Sequence, residues 1–153
     1  MTLREDIHQT KPFRSLREEA ALNIVRTSAT LADDMDELLK AKGITATQYN
    51  VLRILRGAEP EGLCRNELRD RMLTRMPDVT RLLDRMEEAG LVIRARDNED
   101  RRMVSTHITD MGRQLVDELD EPIHEYHQQR LGHVSEEQLK SLVDLLTLVR
   151  DRN

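Results

Sequence analysis

Residues 76–112, MPDVTRLLDRMEEAGLVIRARDNEDRRMVSTHITDMG, constrain the fold more than any other stretch of this 153-residue chain. Val79, Leu82, Leu83 and Met86 stand at i, i+3, i+4 and i+7, which places one apolar stripe along a helix. Thr80, Arg81, Asp84 and Arg85 fall on the other side. Gly90 supplies a left-handed stop. Leu91, Val92 and Ile93 then open a short strand, and Met103 to Ile108 return as a second. Between them, Asp97-Asn98-Glu99-Asp100-Arg101-Arg102 is too polar to pack against anything apolar. A helix that displays Arg and Thr, followed at once by an Arg-tipped hairpin, has the parts to hold a DNA duplex at two places. That is the pattern of a winged helix-turn-helix.

The flanking segments supply the rest of such a unit. A long first helix is expected from Phe13 to Lys40, with Ile24, Leu31 and Leu38 recurring every seven residues, a seam suited to a partner helix. Thr45 or Thr47 caps a second helix carrying Val51, Leu52, Ile54 and Leu55. After a loop from Gly57 to Gly62, a third runs from about Cys64 to Met72 with Leu68 inward. Pro77 suits the first position of the helix that follows. Thr109 caps a fifth helix, which Pro122 is expected to kink or break. Ser135-Glu136-Glu137-Gln138 is a capping box opening the last helix, whose Leu139, Leu142, Val143, Leu146 and Val149 form another apolar stripe. The expected fold class is mainly α (α+β): a winged helix-turn-helix with a two-stranded wing, plus N- and C-terminal helices that dimerise. The corresponding boundaries are an N-terminal arm (1–12) and one domain (13–153). Within it, 45–109 form the winged unit, and 13–42 with 110–153 form the dimerisation region.

Composition narrows the function. A chain of this length can bury about 70% of the surface its unfolded form exposes, enough for one domain. Apolar runs never exceed three residues, so neither a membrane span nor a signal peptide is expected. One cysteine forms no internal disulfide and fits a reducing, cytoplasmic setting. The net charge of −5 runs against DNA binding, but its distribution does not. Between Arg65 and Arg102, ten Arg stand against nine Asp and Glu, and all four Lys lie elsewhere. Arg is the planar, bidentate donor that suits phosphates and guanine edges. With only Phe13, Tyr49 and Tyr126 as aromatics, the chain lacks the stacking platforms of single-strand binders, so duplex DNA is the better target.

The run GLVIRARDNEDRRMVSTHITDMGRQLV, with VTRLLDRMEEAG before it and ITATQYNVLRIL and GLCRNELRDRML upstream, closely resembles the MarR-type transcriptional regulators. The resemblance covers roughly residues 14 to 150, and the wing Asp-Arg-Arg with the Thr-Asp-Met-Gly after it is its densest motif. It implies a homodimer on a pseudo-palindromic double-stranded operator, a repressor more than an activator, released by a small molecule or an oxidant. The terminal helices would intertwine in that dimer, through Ile24, Leu31 and Leu38 at one end and Leu139, Leu142, Leu146 and Val149 at the other.

Candidate DNA contacts follow. On the recognition helix, Asp78, Thr80 and Arg81 are placed for base edges. Pro77 belongs to the same site, Arg75 is assigned to phosphate, and Arg85 either reaches DNA or pairs with Asp84 or Glu88. Arg94 and Arg96 in the wing stand near enough to hold phosphates. The resemblance implies that Asp100 orients an arginine and that Arg102 reaches toward the minor groove, with Arg101 as the alternative.

Other chemistry has weaker support. Cys64, at a helix start beside Arg65, is a candidate redox thiol. However, the resemblance places reactive cysteines in the first helix, where this chain has none. His124, His127 and His133 are too scattered for a metal set, so no metal and no cofactor are expected. No Gly-rich phosphate loop, nucleophile elbow or zinc motif points to an enzyme. The rival reading is an interaction module that kept the winged fold without binding DNA. Arginines on both helix and wing argue against it.

Overall fold

The computed structural model describes residues 1–96 and 103–151. Seven helices and three short strands make up these residues: α1 (Leu3–Asp6), α2 (Leu16–Lys40), α3 (Ala46–Gly57), β1 (Leu63–Cys64), α4 (Arg65–Arg71), α5 (Val79–Glu88), β2 (Val92–Arg96), β3 (Val104–Ile108), α6 (Asp110–Leu131) and α7 (Glu136–Arg150). Helix, turn and helix (α4, 72–78, α5) followed by the β2–β3 hairpin make a winged helix-turn-helix. The strand order is β1-β3-β2, all antiparallel, with Leu63 opposite Thr106 and Arg94 opposite Thr106 on its other side. The expected hairpin is therefore joined by a third strand, which ties the start of α4 to the wing.

Side-chain chemistry at the helix ends explains most of the boundaries. Ser15, Thr45, Asp78, Thr109 and Ser135 each accept a backbone N–H at the first turn of their helix. The first long helix thus starts at Leu16, not Phe13, because Ser15 is its cap. Likewise Asp78 caps α5, so Pro77 lies one residue before the cap and not at the first helical position. At the far end of α5, Gly90 takes φ +75°, and the Leu91 N–H donates to the Met86 carbonyl at 2.9 Å. The Thr109 hydroxyl donates to the Gly90 carbonyl at 2.6 Å and fastens the end of β3 to this stop. A side chain on Gly112 would collide with the Leu91 carbonyl, so the first turn of α6 sits directly on the hairpin base.

One core unites α3, α4, α5, the sheet and α6. Val51, Leu52, Leu55, Leu68, Leu83, Met86, Val116 and Leu119 are each at most 2% exposed, and Leu39 enters from the end of α2. The stripe read from residues 79 to 86 is this core's contact face: Val79, Leu83 and Met86 are buried and Leu82 is partly so. Ion pairs reinforce the seat of α6. Arg56 of α3 reaches Asp117 at 2.6 Å and Asp120 at 2.8 Å, and Lys42 reaches Glu118 at 2.8 Å. The hydrogen bonds from Arg56 hold the Asp120 carboxyl below its ordinary value.

One expectation needs correction: Pro122 does not break its helix, and α6 is helical from Asp110 to Leu131. Proline costs a helix one backbone bond and a clash with the carbonyl four residues back, yet Val116, Leu119 and Ile123 are buried on both sides of it and hold the segment in place. The first twelve residues hold the one-turn α1, closed by a capping box of Thr2 and Glu5. Its Leu3 is buried, and Asp6 pairs with Arg26 of α2 at 2.7 Å. Helix α7 matches its expected span but has no buried residue. In α2 only Leu39 is buried.

Candidate nucleic-acid interface

The outer side of the winged unit is built from the start of α4, the turn, α5 and the hairpin. Burial of Val79, Leu83 and Met86 fixes the rotation of α5, so Thr80, Arg81 and Arg85 are left exposed. Asp78 is exposed as well, but its Oδ1 accepts the Arg81 N–H at 2.9 Å, so one oxygen is committed to capping. Arg75 and Pro77 are exposed in the turn and, with Arg69, Asp70, Met72 and Met76, line a recess at its mouth. Asn50 of α3 steadies that turn by accepting the Leu73 N–H at 3.0 Å. Among the described residues neither Arg81 nor Arg85 forms an ion pair, so the alternative pairing of Arg85 with Asp84 or Glu88 is not taken.

Asp84 pairs across to the wing instead. Arg94 of β2 places Nη2 at 2.6 Å from Asp84 and 2.7 Å from Glu87, its Nε donates to Glu87 at 3.1 Å, and its backbone N–H donates to the same carboxylate at 2.9 Å. Those hydrogen bonds hold the Glu87 carboxyl below the usual glutamate range and push the guanidinium upward. A guanidinium shared by two carboxylates is in a poor position to hold phosphate. Arg94 instead clamps the wing to α5. Arg96, two residues on along β2, is exposed and stands beyond this clamp. Asp100, Arg101 and Arg102 lie outside the described residues.

The start of α4 contributes a side chain that sequence reasoning left out of the site. Arg65 Nη1 donates to Thr80 Oγ1 at 3.2 Å. No periodicity links residues fifteen apart on different helices, and only the packing of α4 on α5 brings them together. Cys64, the cap residue of α4, is partly exposed and its N–H donates to Glu67 at 2.8 Å, which holds that carboxyl low. Among the described residues, no three His, Cys, Asp or Glu come together as a metal site, and His124, His127 and His133 are not gathered into one. No helix there is long and apolar enough to cross a membrane.

The family description that matches this sequence is that of the MarR family, over residues 42–103. These residues include the helix-turn-helix and β2, the first strand of the hairpin. The HTH-type transcriptional regulator FarR of Neisseria gonorrhoeae is 27% identical over 135 residues, which span 88% of this chain and 91% of FarR. A MarR transcription factor from Planctomyces limnophilus, known from its crystal structure, is 39% identical, with 90% of this chain and 99% of that one aligned at a TM-score of 0.67. The MepR–DNA complex from S. aureus superposes at a TM-score of 0.77, with 26% identity over 84% of this chain and 94% of MepR.

Proposed function

The chain belongs to the MarR family of transcriptional regulators, and on that premise we propose that it is a homodimeric repressor of transcription that binds a pseudo-palindromic stretch of double-stranded DNA. The observation that carries the reading is the two-sidedness of α5. One side is locked in the core, and the other offers Thr80, Arg81 and Arg85 to solvent. MepR, solved in complex with DNA, supports DNA as the partner. In this reading α5 enters the major groove with Asp78, Thr80 and Arg81 toward base edges, while Arg75 and Arg96 hold phosphates. Asp100, Arg101 and Arg102 are assigned to the wing tip on sequence alone. Arg94 acts by fixing the angle between hairpin and recognition helix.

The winged unit of residues 45–109 occurs twice per assembly. Residues 13–42 and 110–153 join the copies through Ile24, Leu31, Leu38, Leu139, Leu142, Leu146 and Val149. Control by a small-molecule effector belongs to the same proposal: a ligand that favours one spacing of the two α5 helices over another shifts the population able to bind both half-sites. Selection from randomised duplexes tests the reading. The expected result is two inverted half-sites about one helical turn apart, with affinity falling steeply as salt rises. Failure to enrich any sequence would overturn it.

A further inference from the structure

The contact between Arg65 and Thr80 has chemical consequences for what α5 reads. Thr80 is the second residue of α5. A threonine deeper in a helix turns its hydroxyl back onto the carbonyl four residues earlier, but here that residue, Met76, lies in the turn. Among the described residues nothing accepts the Thr80 hydroxyl proton, while its oxygen accepts from Arg65 Nη1 at 3.2 Å. Both side chains line a recess of about 200 Å³ between the starts of α4 and α5. They also line a second, of about 400 Å³, that extends to β3. Asp78, the acidic wall of the smaller recess, has Oδ1 committed to the Arg81 N–H.

A hydroxyl that accepts from a guanidinium keeps its own proton for another acceptor. The adjacent positive charge also disfavours the approach of a base amino group. We infer that Arg65 is a positioning residue that presents Thr80 as a hydrogen-bond donor. The pair then selects a base edge rich in acceptors (guanine O6 and N7, or thymine O4) over the amino edges of cytosine and adenine, at one base pair per half-site. The inference rests on α5 being the recognition helix.

Selection from randomised duplexes with the full-length wild type, Thr80→Val, Thr80→Ser, Arg65→Met and Arg65→Lys tests it. Thr80→Val and Arg65→Met should lose preference at the same base pair, each weakening the selected site by about threefold to tenfold. The double variant should be little weaker than either alone. Thr80→Ser, which keeps the hydroxyl, and Arg65→Lys, which keeps a cationic donor, should retain the preference in part. Uniform weakening of all sequences by Arg65→Met, with base preference intact, would make Arg65 a phosphate contact and overturn the inference. Additive losses in the double variant would overturn it too. A wild type that selects no sequence contradicts the recognition-helix reading itself, and so separates the two failures.

Discussion

Leu68 and Leu142 are both helical leucines on apolar stripes, yet Leu68 is 0% exposed and Leu142 is 44% exposed. The contrast holds for the regions around them. The winged unit closes over its own side chains: α3, α4, α5, the sheet and α6 share one core. At the ends of the chain, α7 has no fully buried residue, and the first half of α2 leaves Leu16, Leu22, Ile24 and Val25 exposed. An apolar helix face of that length is unusual on a soluble monomer. The lesson is a division of labour. One region is complete within a single copy, and the other is the one that the proposed dimer would cover.

The most damaging way to probe this contrast is at α7. Leu142→Asp combined with Leu146→Asp should separate the copies and weaken a two-half-site duplex by about a hundredfold or more, since the second half-site then binds independently. The winged core should survive. Loss of DNA binding without any change in sedimentation would place α7 outside the dimer.

Next in size is a matched pair of truncations followed by thermal unfolding. Leu68→Ala removes a fully buried side chain and should cost about 2–5 kcal/mol, independent of protein concentration. Leu142→Ala should show a smaller effect that grows as the protein is diluted. Equal, concentration-independent effects would erase the distinction between the regions.

The winged core was the more legible half in the sequence because its spacing is local. Val79, Leu83 and Met86 share a helical period, and Thr45 and Thr109 are recognisable caps. What escaped was set by contacts distant along the chain. β1 is two residues long, too short to show alternation, and exists because Thr106 and Ser105 lie opposite it. Arg94 reads as a phosphate ligand until Asp84 and Glu87 are brought beside it. Arg65 meets Thr80 only through helix packing. The capping box of Thr2 and Glu5 closes a helix of only four residues, too short to show a period.

Two smaller effects sharpen the account of the winged unit. Arg81→Ala should cost about 1–3 kcal/mol on a selected site and less on random DNA; equal losses would make Arg81 a phosphate contact. The Arg94 clamp should respond weakly to acid. Glu87 titrates below its ordinary value of 4.5 because it accepts from Arg94. Its contribution is therefore fully present above that value and is lost as pH falls through the lower folded one. Protection of the β2 amides against hydrogen exchange, relative to the intrinsic rate at each pH, should fall over that acidic range in the wild type. In Arg94→Met it should be low at neutral pH already. Identical profiles in the two proteins would show that the clamp does not hold the wing.

The central claim is that the apolar ends of this chain are covered by a second copy. Sedimentation of the full-length wild type at low micromolar concentration tests it most directly. The account predicts a dimer with no folded monomer in equilibrium at that concentration; a well-folded monomer would contradict it, together with binding to two half-sites.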